Sequence, residues 1–244
     1  MEDGGATRLH ECDSGPFGEA SDARVTPVHG VATLELGVGD GNEITALETT
    51  LAVPVMPSPI GTSFIWPGLQ PSPSAGGPGA GVLQTVLTFG PTCAPHAPAD
   101  PYASWWVSPE YVNPDVDAGR NPGCQGGEGI AVAEGVALHL VIRKRGSAWT
   151  ESINDQGTGR TESFDFDLGG QTQRRALFAI ERRDGASPTS AVFTETRITF
   201  AQPEPAACQP AARGVRDTFS VPRASVDGRT CCIDRVELVG GDAR

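Results

Sequence analysis

The side chains that could do chemistry in this sequence are scattered, and none sits in a self-sufficient motif. Its histidines, His10, His29, His96 and His139, stand far apart. There is no G-x-S-x-G turn and no H-E-x-x-H pair, so neither a strand-to-helix serine nucleophile nor a zinc-bound water with its glutamate base is on offer. The acidic run ESFDFD at 162–167 lacks the E-x-D-x-x-E spacing that would set two acids about a glycosidic bond. Asp115, Asp117 and Asn121 place oxygen atoms at intervals in a Gly-containing loop, as calcium loops do. Without a sixth-position glycine or a downstream glutamate, they read more simply as an Asp/Gly turn. Trp66, Trp105 and Trp106 could offer flat faces to a sugar ring, although strand alternation sends one of the adjacent pair inward. Arg143, Lys144 and Arg145 read as a solvated strand end.

The 244 residues carry Gly 31 and Pro 21, together about one fifth of the chain, which argues against long helices. Net charge is −12, an acidic field that repels phosphate and makes nucleic acid or an anionic membrane a poor partner. No apolar run approaches the length of a membrane span. Six cysteines, at 12, 93, 124, 208, 231 and 232, show no C-x-x-C spacing. They read as a disulfide framework, and hence as a secreted or extracytoplasmic protein. Six thiols allow 15 pairings, but the adjacent Cys231 and Cys232 must reach different partners. The start, MEDGGATRLHECDSG, has no basic-then-apolar leader. It is read as a mature domain behind a new initiator Met, with its export signal removed.

These candidates need a frame to position them. Residues 1–24 are polar and Gly-rich, the expectation being a flexible arm, with 25–244 as one β-sandwich domain. Period-two alternation broken by Gly, Pro, Asn and Asp predicts strands at 30–36, 47–55, 63–66, 81–89, 102–107, 136–143, 148–153, 161–168, 175–181, 192–201, 214–221 and 231–238. Segments 71–80, 91–101 and 113–129 read as irregular, being rich in Pro and Gly. The turn NDQGTG at 154–159 predicts a hairpin. Many short strands with no helix predict an all-β antiparallel sandwich or jelly roll, with an outer sheet face free for a ligand.

The order of segments resembles a known family. Reading forward come LAVPVMPSP (51–59), FIWPGLQ (64–70), GVLQTVLTFG (81–90), YASWW (102–106), EGVALHLVIRKRG (134–146), WTESINDQGTGRTESFDFDL (149–168), ALFAIERR (176–183) and FTETRITFAQ (193–202). This series is similar to the eqolisins, the glutamic peptidases, over about residues 51–202. The resemblance implies a concanavalin A-like sandwich, with the C-terminal remainder a disulfide-bonded extension. It also implies a catalytic glutamine at Gln84, from the match to I-L-Q-T, and a catalytic glutamate at Glu181, from the match to W-I-V-E. Trp66, Gln70, Tyr102 and Trp105 would then line the cleft, with no cofactor required.

The chemistry asked of such a pair is explicit. Amide hydrolysis needs a base for the proton of water and a donor where negative charge develops on the carbonyl oxygen. A carboxylate does the first and a side-chain amide the second. Alternation puts Gln84 on one face with Val82, Val86 and Thr88, and Glu181 on one face with Leu177 and Ala179. A lone Gln or Glu on a strand is ordinarily a solvated side chain. Three acidic positions of the family pattern are here Gln70, Thr88 and Val107, which removes negative field around the pair. The expectation is thus a secreted glutamic-type endopeptidase, acting as a monomer on polypeptide. The alternatives are a carbohydrate- or peptide-binding sandwich without catalysis and a purely structural surface domain.

Overall fold

In a computed structural model of the chain, the described residues are 31–71, 81–113, 123–212 and 217–240. Strands follow one another as β1 (Val31–Gly37), β2 (Ile44–Ala52), β3 (Thr62–Gln70), β4 (Val82–Phe89), β5 (Trp105–Asn113), β6 (Gly123–Gly126), β7 (Ile130–Val132) and β8 (Ala137–Arg145). Then come β9 (Ala148–Asp155), β10 (Thr161–Phe166), β11 (Arg175–Arg183), β12 (Thr189–Phe200), β13 (Ala211–Ala212), β14 (Thr218–Phe219), β15 (Arg223–Ala224) and β16 (Thr230–Gly240). They form two antiparallel sheets. The first runs β13-β1-β11-β3-β4-β5-β6 with β7 also on β5; the second runs β10-β9-β8-β2-β12-β16-β14 with β15 also on β16.

Alternation in the sequence builds the layers. In β8 the inward Leu138, Leu140 and Ile142 are fully buried while His139, Val141 and Arg143 turn outward. In β11 Ala176, Phe178 and Ile180 enter the shared core, and Leu177 and Ala179 emerge on the far side. The core is filled by large side chains from both sheets, among them Trp105, Trp149, Phe166 and Tyr111. Phe178 of the first sheet meets Phe193 of the second edge-on at 5.0 Å. Burial of each such side chain contributes about 1.5–3 kcal/mol. Among the described residues no helix is long and apolar enough to cross a membrane.

Disulfides Cys93–Cys124 and Cys208–Cys231 are formed, and Cys232 is disulfide-bonded as well, so the adjacent cysteines do take different partners. The first pins the loop after β4 to β6. Closing about 30 residues of chain contributes about 3–4 kcal/mol in the chain-entropy account.

Several predicted elements change extent. Strand β5 does not stop at Val107 but continues through Pro109 to Asn113, and β6 forms inside the segment read as irregular. Strand β3 runs past Pro67 to Gln70. Of 214–221 only Thr218–Phe219 is strand among the described residues. The 154–159 turn does join β9 to β10 as a hairpin. The arm at 1–24 and the cation-loop residues Asp115, Asp117 and Asn121 lie outside the described residues.

Candidate functional site

The outer face of the first sheet has an apolar floor and a polar notch. The floor is Phe64 and Trp66 of β3, Val86 of β4, and Leu177 and Ala179 of β11, with Val82 packed beside them. Gln84 lies on this face, as the alternation of β4 requires, and is 8 % exposed.

Register decides what stands beside it. Gln84 pairs with Gly68 on one side and with Glu110 on the other, and Glu110 pairs with Gly126 of β6. A glutamine and a glutamate are therefore cross-strand neighbours with a glycine on either flank. Both glycines are needed for close approach. A Cβ on Gly126 would fall 2.2 Å from the Pro109 carbonyl oxygen and 3.3 Å from Glu110 Cγ. One on Gly68 would fall 3.1 Å from Gln84 Cβ and 3.1 Å from the Trp66 ring. The missing side chains let the strands and the side chains around the pair pack closely.

Electrostatics sets the pair apart from ordinary surface groups. Glu110 is 2 % exposed, and its one side-chain hydrogen bond is from Ser108, whose Oγ donates to Oε1 at 2.6 Å. Burial outweighs that bond and pushes the carboxyl up to about 7, because desolvation disfavours the charged form. Among the described residues no hydrogen bond reaches the Gln84 side-chain amide, so its donors are free for a ligand.

Glu181 occupies the same face but a different level. It pairs with Phe64, which pairs with Thr88, whereas the β11 residue level with Gln84 through Gly68 is Leu177. Four residues of strand separate the two levels, about 13 Å at 3.3 Å per residue, and β3 stands between the two strands, so Glu181 is not the carboxylate beside Gln84. Burial also raises the Glu181 carboxyl, with Arg183 opposing.

The expected cleft-lining residues divide likewise. Trp66 is in the floor and Gln70 is half-buried at the end of β3. Trp105, by contrast, is fully buried between the sheets against Phe89 and presents no face to a ligand. Tyr102 donates its hydroxyl to the Gly61 carbonyl at 3.0 Å and packs edge-on to Phe89, which makes it a brace. Glu110 lies three residues past the predicted strand end at Val107, beyond a proline that cannot donate to a sheet ladder. Its one signal was the Ser-Pro-Glu continuation of the Trp105–Val107 alternation, which puts Trp106, Ser108 and Glu110 on one face.

The sandwich has solved counterparts. The fold matches that of scytalido-glutamic peptidase bound to a peptide-based transition-state analogue, at TM-score 0.54 and 14% identity, covering 86% of this chain and 99% of that one. It matches SCP-B, a member of the eqolisin family in complex with the tripeptide Ala-Ile-His, at TM-score 0.50 and 14% identity over the same shares. No protein-family model matches the sequence, and no curated protein matches it. The chain thus has the sandwich of the glutamic peptidases, the fold its segment order resembles, at an identity where the likeness speaks for fold alone.

Proposed function

We propose that the chain is an extracytoplasmic peptide-bond hydrolase whose acid–base residue is Glu110 and whose oxyanion donor is Gln84. The observation that carries this reading is their direct cross-strand pairing between Gly68 and Gly126. Glu110 takes the part that the segment resemblance gave to Glu181. In its ionised form it accepts a proton from water, and the hydroxide so formed adds to the scissile carbonyl carbon. The Gln84 amide N–H donates to the oxygen as it gains negative charge. Glu110 then returns the proton to the departing amine, leaving a free carboxyl and a free amine. Ser108 occupies Oε1 of Glu110, which leaves the other oxygen to take the proton. Trp66 and the apolar floor would hold the substrate side chains, with Gln70 and Glu181 at the two ends of the face. The disulfides are the reason for placing the protein in an oxidising compartment.

A base whose midpoint is near 7 is mostly protonated in acid, so cleavage should rise with pH through neutrality. The test is cleavage of denatured casein from acidic to alkaline pH by the wild type and by Glu110→Gln, Gln84→Ala and Glu181→Gln. The reading requires loss in the first two variants and survival in the third. Loss in Glu181→Gln alone would return the base to β11. Binding of peptides or oligosaccharides by a wild type that cleaves nothing would make the face a recognition cleft, the reading to which the Trp66 floor lends itself.

A further inference from the structure

Beneath the proposed pair lies a carboxyl that packing alone does not explain. Glu151 belongs to β9, in the opposite sheet, and is fully buried. Its side chain crosses the core to the underside of β4 and β5. Oε2 accepts from Thr85 Oγ1 at 3.1 Å and from the Glu110 backbone N–H at 3.2 Å, and the Gln84 backbone N–H is close enough to favour the ionised carboxyl. Oε1 has no hydrogen-bond partner. An apolar residue of the same size would bury more cheaply there.

The strands it touches explain its presence. Thr85, between the two sides of the notch, pairs with Pro109 on β5. Toward β3 the ladder is interrupted at Trp66 and Pro67, with the same register resuming on either side. Proline supplies no N–H and is ordinarily kept out of central strands. Two prolines thus thin the ladder beside the residues whose side chains make the notch, and a carboxyl from the other sheet ties β4 through the Thr85 hydroxyl and β5 through the Glu110 N–H.

We infer that Glu151 is a positioning residue: it clamps β4 at Thr85 and β5 at the Glu110 N–H from below, so that the side chains of Gln84 and Glu110 are held side by side on the outer face. This rests on the functional reading above only for its catalytic consequence; the clamp itself does not. Complete burial raises the Glu151 carboxyl well above the ordinary range, against the hydrogen bonds that favour its ionised form. Other titratable groups near it are engaged elsewhere. Tyr111 of β5 bonds Gly81 and Gln171, Lys144 of β8 is held by Glu43, and Asp155 of β9 is tied into its own turn. Its pairing partners Ile142 and Phe164 are apolar.

The test compares Glu151→Gln and Glu151→Leu with the wild type by amide hydrogen exchange and by NMR titration of the Glu110 carboxyl. Glu151→Gln retains an acceptor oxygen and no charge, so protection at Gln84 and Glu110 should persist and the Glu110 midpoint should stay near 7. Glu151→Leu should speed exchange at those two amides at least about tenfold, leave Ile180 of β11 unchanged, and, in an active enzyme, lower kcat more than it raises KM. A fall of a unit or more in the Glu110 midpoint in Glu151→Gln would mean that the buried group acts on Glu110 through charge, and uniform loss of protection across the sheet would reduce it to a core residue. Either result overturns the clamp. Should Glu151→Leu not fold, Thr85→Val, which removes one of the donors, tests the same selective loosening. An inert wild type with the clamp intact would sink the hydrolase reading and spare this one.

Discussion

The outer faces of the two sheets are built from strands of the same kind, yet Glu48 on one and Glu110 on the other are treated in opposite ways. On the second sheet Glu48 accepts from His139 at 2.9 Å with Arg143 4.0 Å away, Lys144 bonds both oxygens of Glu43, and Arg197 adds its charge nearby. The His139 hydrogen bond, ahead of the opposing desolvation, holds Glu48 below the usual carboxylate range. On the first sheet Glu110 has a serine for company, glycine and glutamine beside it, and an apolar floor around it, and its carboxyl rises to about 7. One face spends its carboxylates on ion pairs. The other pairs Glu35 with Arg175 but keeps Glu110 desolvated with no cation beside it, the kind of expense found at functional sites.

Removing the dry carboxylate gives the largest expected contrast. Glu110→Gln should lower casein cleavage about 10²–10⁴-fold, whereas Glu48→Gln should leave the rate within experimental scatter. Equal losses would erase the distinction between the faces.

Next in size is the dependence of stability on pH. The folded state binds the Glu110 proton more tightly than the unfolded chain does. Stability from this group is therefore greatest below its unfolded value of 4.5 and is lost as pH rises through about 7. The loss amounts to about 3 kcal/mol. Denaturant unfolding at acidic and at slightly alkaline pH should show it, and Glu110→Gln should abolish that share of the slope. A wild type that gains stability over the same interval would mean that Glu110 is not desolvated.

The glycine flanks come third. Gly126→Ala must displace backbone, since its Cβ meets the Pro109 carbonyl oxygen at 2.2 Å, and should cost about 2 kcal/mol or more. Gly68→Ala, whose nearest contacts are 3.0–3.1 Å, should cost less in stability but still reduce cleavage by crowding Gln84. Alanine tolerated at both sites with full activity would show that the notch is not used.

The smallest effect belongs to the paired face. Glu48→Gln should cost under about 1 kcal/mol, because the pair is partly solvated and screened. Here the sign reverses. A lowered carboxyl contributes stability above its unfolded value and loses it as pH falls, so unfolding in acid, not in base, should register the change.

Legibility of the sandwich and of its site differed for a reason traceable to particular residues. The alternations in β4, β8 and β11 were plain, and they put Gln84 outward and Phe178 inward as the structure has them. The prolines misled. Pro67 and Pro109 lie just past the predicted ends of β3 and β5, where a proline cannot donate to a central ladder, and the Gly-rich stretch around Gly126 hid β6. Those misjudged stretches hold Gly68, Glu110 and Gly126, three of the four residues that make the notch. Trp105 misled in another way: adjacency to Trp106 told that one indole turns inward but not which.

By itself the sequence determined the all-β class, the faces on which Gln84 and Glu181 lie, and the need for disulfide bonding, because alternation and cysteine content act within a strand or through composition. Which carboxylate stands next to Gln84 was decided only by the tertiary structure. Cross-strand register is set by distant segments packing together, and a slide of a few residues, invisible to any local pattern, exchanges Glu181 for Leu177 at the level of the glutamine.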